Sequence, residues 1–116
     1  MAQLTVQDLT GDAGGGYRAL SFAAVAAGGD TFPNDGRTMV HVANGGTGSV
    51  TVTFNGGLDG NGRDEDLAVA IAAGSDAVVG FLRKDLWNNG SGQVEMTYSG
   101  TATVTVAVYR PYLLPR

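Results

Sequence analysis

Apolar and small or polar residues alternate with a period of two along much of the chain. Val50, Val52 and Phe54 alternate with Thr51 and Thr53, and Val104, Val106 and Val108 with Thr103, Thr105 and Ala107. Val94, Met96 and Tyr98 alternate with Gln93, Glu95 and Thr97, and Leu67, Val69 and Ile71 with Ala68 and Ala70. Each set places branched or aromatic side chains on one face of an extended segment, the pattern of a strand with one buried side. Eight strands are expected, over residues 3–8, 17–25, 37–43, 49–55, 66–72, 76–82, 93–99 and 102–109. Many short strands at this spacing predict an all-β protein, an eight-stranded antiparallel sandwich of jelly-roll type. A seven-stranded immunoglobulin-like sandwich is the alternative, without the Cys–Trp–Cys hallmark of antibody domains.

The least regular segment is 17–27, "YRALSFAAVAA". Its alanines favour helix by propensity, and a helix over 18–27 competes with a strand carrying Leu20 and Phe22. Glycine clusters flank the segment and no good N-cap precedes it, so strand is the reading adopted. Turn residues separate the other strands: Asn44-Gly45-Gly46-Thr47-Gly48, Ala73-Gly74-Ser75-Asp76 and Ser99-Gly100. Long loops are expected over 56–66 and 81–92. Residues 1–110 read as one domain, and 111–116, with two prolines, as an extended tail.

The chain has 116 residues, enough to bury a core without metal or disulfide staples. Cysteine is absent, which removes disulfides, thiolate metal sites and thiol nucleophiles together. Net charge is −4 and Lys84 is the only lysine, so no basic face is available to neutralise phosphates. The residues from Met1 to Thr5 lack a signal-peptide pattern, and no apolar run approaches the ~18 residues of a membrane helix. A soluble protein, not exported by a cleaved signal, is the expectation, with neither nucleic acid nor membrane as partner.

Five features invite a chemical reading. His41, the only histidine, would have to serve any triad or general-base mechanism. It lies between Val40 and Val42, so it and Met39 should face away from the core, as a surface or interface residue. The loop 58–66 offers Asp59, Asn61, Asp64, Glu65 and Asp66 as oxygen donors of the kind calcium takes. Arg63 occupies an EF-hand ligand position and the closing Glu is missing, so a solvated acidic loop is the simpler reading. The runs Gly14-Gly15-Gly16 and Gly45-Gly46 lack the strand–helix context of a phosphate loop. Tyr17, Trp87, Tyr98, Tyr109 and Tyr112 raise a carbohydrate-binding sandwich, in which Tyr98 should be core and Tyr109 exposed. Finally, Leu113 and Leu114 in the tail, and Leu86 beside Trp87, must bury against this domain or a neighbour, each gaining roughly 1.5–3 kcal/mol. The candidate partner contacts are therefore Trp87, Leu86, Tyr109, Tyr112, Leu113 and Leu114. No catalytic, cofactor or metal residues are assigned.

The run Gly29-Asp30-Thr31-Phe32-Pro33-Asn34-Asp35-Gly36-Arg37-Thr38, followed by a strand–turn–strand unit and by "LAVAIAAGSDAVVGF" and "GQVEMTYSGTATVTVAVYR", resembles the small head decoration, or auxiliary capsid, proteins of tailed bacteriophages. The similarity runs from about Leu4 to Arg110. Ala72-Ala73 stands where that pattern has a proline, and Gly80-Phe81-Leu82 where it has Gly-Pro-Phe. The resemblance implies a non-enzymatic virion protein, made in the bacterial cytoplasm, that binds the major capsid protein on the shell exterior as a symmetric oligomer, a trimer first. Another virion part, a head–tail connector or tail protein, is the related alternative. Within the run, Phe32 should anchor a turn closed by Asn34-Asp35-Gly36, and Asp30 and Arg37 should flank it closely enough to pair.

Overall fold

A computed structural model describes residues 2–8, 20–56, 66–80, 82 and 87–110. Among the described residues ten strands are present: β1 (Ala2–Gln3), β2 (Val6–Asp8), β3 (Ala23–Ala24), β4 (Asp30–Pro33), β5 (Met39–Asn44), β6 (Val50–Phe54), β7 (Leu67–Ile71), β8 (Asp76–Gly80), β9 (Gln93–Tyr98) and β10 (Val104–Arg110). They form two sheets. The first has the order β1-β4-β9-β6-β7, and the second β2-β10-β5-β8, with β3 also on β10. The all-β sandwich is as expected from the alternation. Two pairings, β1 with β4 and β2 with β10, are parallel, so the sheets are mixed.

The inward faces are the ones the period-two pattern selects. Phe32, Val40, Val42, Val52, Phe54, Val94, Met96, Val104, Val106 and Val108 are all at most 1% exposed. Branched side chains lose little χ1 freedom on a pleated surface and pack well across it. Thr53 faces Thr97 across β6 and β9 on the opposite side of the same sheet.

Consecutive strands mostly lie in opposite sheets. The turn after β5 leads to β6 in the other layer, as do those after β7 and β9. These glycine-rich links are therefore crossovers between layers, not hairpins. Asn44 builds one of them. Its amide donates to Gly48 O at 2.8 Å and Ile71 O at 3.0 Å, and its Oδ1 accepts from Gly46 N at 3.1 Å. Gly45 and Gly46 pass so close to the 102–103 turn that a Cβ on either would sit 3.2 Å from a carbonyl oxygen.

Three expectations need correction. The segment 3–8 is two strands, one in each layer, with Leu4 and Thr5 at the corner. The stretch Asp30–Pro33 is a strand between β1 and β9, and Phe32 within it is fully buried. Pro33 is tolerated there because it lies past the end of the β1 pairing, where no ladder donor is required. Asn34 Oδ1 then accepts from Gly36 N at 3.0 Å, with Gly36 at φ 89°, closing the expected turn. Asp30 does not pair with Arg37. It is 1% exposed and accepts from the Tyr98 hydroxyl and Ala26 N, while Arg110 Nε meets Asp35 Oδ2 at 3.1 Å. Of the segment 17–25, residues 17–19 lie outside the described residues. The remainder holds only the two-residue β3, and no helix occurs over 20–27.

Candidate functional site: the outer face of the second sheet

Three cross-strand rows build this face. Tyr109, Met39 and Gly80 are opposite one another across β10, β5 and β8; so are Ala107, His41 and Val78, and Thr105, Ala43 and Asp76. Inward Val40 and Val42 force Met39, His41 and Ala43 outward by pleat alone. Met39 leans over Gly80, filling the space where a Cβ would stand, with its Cε 2.7 Å from that position.

The middle row carries the most exposed apolar side chain of the three. Val78 and Phe22 are the large hydrophobic side chains most open to solvent among the described residues, at 49% and 42%. Both border His41. Val78 is its direct partner in register, and the Phe22 ring meets the imidazole edge-on, with centroids 5.1 Å apart and planes at 80°. His41 Nε2 donates to Asp76 Oδ2 at 2.5 Å, diagonally across the same strand pair. Both groups are in contact with water, so the pair orients the ring and adds at most about 1 kcal/mol. Among the described residues no hydroxyl is hydrogen-bonded to the imidazole, which meets the Asp76 carboxylate and the Phe22 ring.

Beside Phe22 lies a shallow cleft of about 390 Å³, between the β1–β2 corner and the segment leading into β3. Two of its polar lining residues are bonded to each other. The Gln7 amide donates to Ser21 O and accepts from Ser21 N, both at 2.9 Å, imitating a backbone bridge. No charged side chain lines it.

The other candidates are placed as follows. Trp87 is half-buried and packs against the core cluster. Its segment is tied down by Asn34 and Asn88, which exchange bonds of 2.8 Å in both directions. Tyr109 is half-buried on the outer face described above. Tyr98 faces the core, as its parity requires. Leu86, Tyr112, Leu113 and Leu114 lie outside the described residues, as do Tyr17, the first glycine run and most of the acidic loop. Asp66, at the end of that loop, accepts from Gly56 N at 2.9 Å. Among the described residues no group of three His, Cys, Asp or Glu could hold a metal ion, and no helix is long and apolar enough to cross a membrane.

Phe22 and Val78 were not among the sequence candidates. Val78 carried a readable signal, since adjacent Val78 and Val79 cannot both face inward from one strand. Phe22 carried none, because its segment departs from regular alternation. No protein-family model, curated protein or solved structure matches the chain.

Proposed function

We propose that this chain is a head decoration protein of a tailed bacteriophage, which binds the outside of the capsid shell and stabilises it without catalysing a reaction. The observation that carries this reading is the Phe22–His41–Val78 surface, an adhesive apolar row on a rigid sheet. The buried amides of Asn34 and Asn44 are occupied in holding turns, and that of Gln7 in bridging β2 to Ser21. The Gly29–Thr38 run and the strand pattern after it supply the resemblance. In this reading the partner is the major capsid protein and the chain acts as a homo-oligomer, a trimer at local three-fold positions. Many weak copies then resist internal pressure together, since tethered contacts multiply. A carbohydrate-binding role has less support, because Trp87 packs on the core instead of offering a platform.

The test is binding to expanded, decoration-free heads, followed by imaging of the particles. Copies bound to the outer shell are expected, and their release by Phe22→Ser combined with Val78→Asp. Density for this chain at the portal or tail would assign it to the connector or tail instead. A folded protein that never associates with particles would remove the proposal.

A further inference from the structure

Four Asn-Gly or Asp-Gly steps lie among the described residues: Asp35-Gly36, Asn44-Gly45, Asn55-Gly56 and Asn89-Gly90. Such steps are chemically labile when the glycine nitrogen can reach the preceding side-chain carbon, because glycine offers no Cβ to obstruct the approach. In three of them that nitrogen is engaged. Gly36 N donates to Asn34 Oδ1 at 3.0 Å, Gly45 N to Thr103 O at 2.9 Å and Gly56 N to Asp66 Oδ1 at 2.9 Å. Gly90 is exposed, and its N–H has no acceptor among the described residues.

The electrophile at this step is also prepared. Asn89 Oδ1 accepts from Ser91 N at 2.8 Å and from Gln93 N at 3.2 Å. Two backbone N–H groups thus face the oxygen on which negative charge develops when the amide carbon is attacked, the arrangement that stabilises tetrahedral intermediates. The Asn89 Nδ2 donates to Glu95 Oε2 at 2.7 Å, so the leaving nitrogen is held apart from the attacking one.

We propose that Asn89 is a site of spontaneous deamidation. Gly90 N bonds to Asn89 Cγ, giving up its proton to solvent base. The Cγ–Nδ2 bond breaks, and the nitrogen takes a proton and leaves as ammonia. Water then opens the succinimide at either carbonyl, leaving aspartate or isoaspartate at position 89; no oxidant or cofactor enters. The product carries a carboxylate where an amide donor met Glu95. Glu95 also receives Asn55 Nδ2 through its other oxygen, at 3.4 Å. The modification therefore replaces an attraction by a like-charge contact at the point where the 87–92 turn and the end of β6 are held together.

The purified folded protein is aged in warm, mildly alkaline buffer, and its peptides are mapped by mass and by isoaspartate content. The Asn89 peptide is expected to convert at least about tenfold faster than the Asn44 and Asn55 peptides. Gly90→Ala, whose added Cβ meets nothing within 4 Å, should keep the circular dichroism spectrum and slow conversion by about the same factor. Three results would overturn the proposal: conversion at Asn44 or Asn55 as fast as at Asn89, an unchanged rate in Gly90→Ala, or an intact Asn89 under conditions where the urea-unfolded chain converts.

Discussion

The Tyr98 hydroxyl donates to Asp30 Oδ2 at 2.6 Å, fastening β9 to β4 on the side that faces the core. Asp30 is almost wholly buried, and its other described partner is Ala26 N at 3.3 Å. Tyr98→Phe deletes the stronger donor and leaves a poorly solvated carboxylate. The expected loss is about 1.5–3 kcal/mol, the range for hydrogen bonds to charged groups. It should appear as a lower urea midpoint with an unchanged denaturant slope. The same pair sets an alkaline limit. Burial first, then the bond to Asp30 and its charge, push the Tyr98 pKa far above the 10.0 of an unhindered tyrosine. The unfolded chain therefore releases this proton before the folded one does. The contribution is whole below pH 10 and is lost progressively as pH rises from there toward the folded value. Stability of the wild type should thus fall more steeply above pH 10 than that of Tyr98→Phe; parallel curves would refute the assignment.

Asn44 holds the crossover from β5 to β6 through both ends of its amide, and it is 2% exposed. No water can replace those bonds without opening the turn. Asn44→Ala should cost about 1–3 kcal/mol for each polar group left without a partner, and more than an exposed substitution such as Ser49→Ala. Asn44→Asp tests the direction of the bonds. A carboxylate keeps the acceptor for Gly46 N but turns an oxygen toward the carbonyls of Gly48 and Ile71, so it should be no better tolerated than alanine. Thermal midpoints of the three variants check the order.

The alternation of branched and small residues decides which side of each long strand is buried, and β6, β9 and β10 could be read from it directly. His41 follows from the same rule, because two inward valines leave it only the outer face. β4 was hidden because it is four residues long, ends on proline and is bracketed by turn residues. Its strand character comes from β1 and β9 on either side, which are distant in sequence. The assignment of strands to layers was hidden for the same reason. A turn such as 44–48 reads alike whether it closes a hairpin or crosses between sheets, and only the pairing of β5 with β8 and β10 distinguishes them. Trp87 was legible as a large apolar group in need of cover. That the cover is its own core depends on the Asn34–Asn88 clasp, which joins residues 54 apart.

Val78 stands midway along the edge strand β8, on the outer face, and is not part of the inward core. Val78→Asp should therefore leave the unfolding midpoint nearly unchanged, within about 0.5 kcal/mol. On the proposed function it should weaken particle binding strongly, because a carboxylate is placed beside Asp76 and inside an apolar contact. Sedimentation with decoration-free heads separates the two effects. Full binding by a folded Val78→Asp protein would move the docking face elsewhere.

Thr38 lies just before β5 with no exposed surface, and its hydroxyl has no hydrogen-bond partner among the described residues. A hydroxyl removed from water without compensation costs about 1–3 kcal/mol on the scale of protein mutations. Valine has nearly the same shape and no polar atom to satisfy. Replacing an unpartnered buried group by an apolar one of equal volume removes the penalty and retains the packing. Thr38→Val is therefore expected to stabilise the fold by about 1 kcal/mol, raising the urea midpoint at constant slope. Thr38→Ser keeps the hydroxyl and loses a methyl group, so it should destabilise. If valine proved worse than serine at this position, the hydroxyl would have to be held by a water inside the sandwich, and its burial would no longer count as a cost.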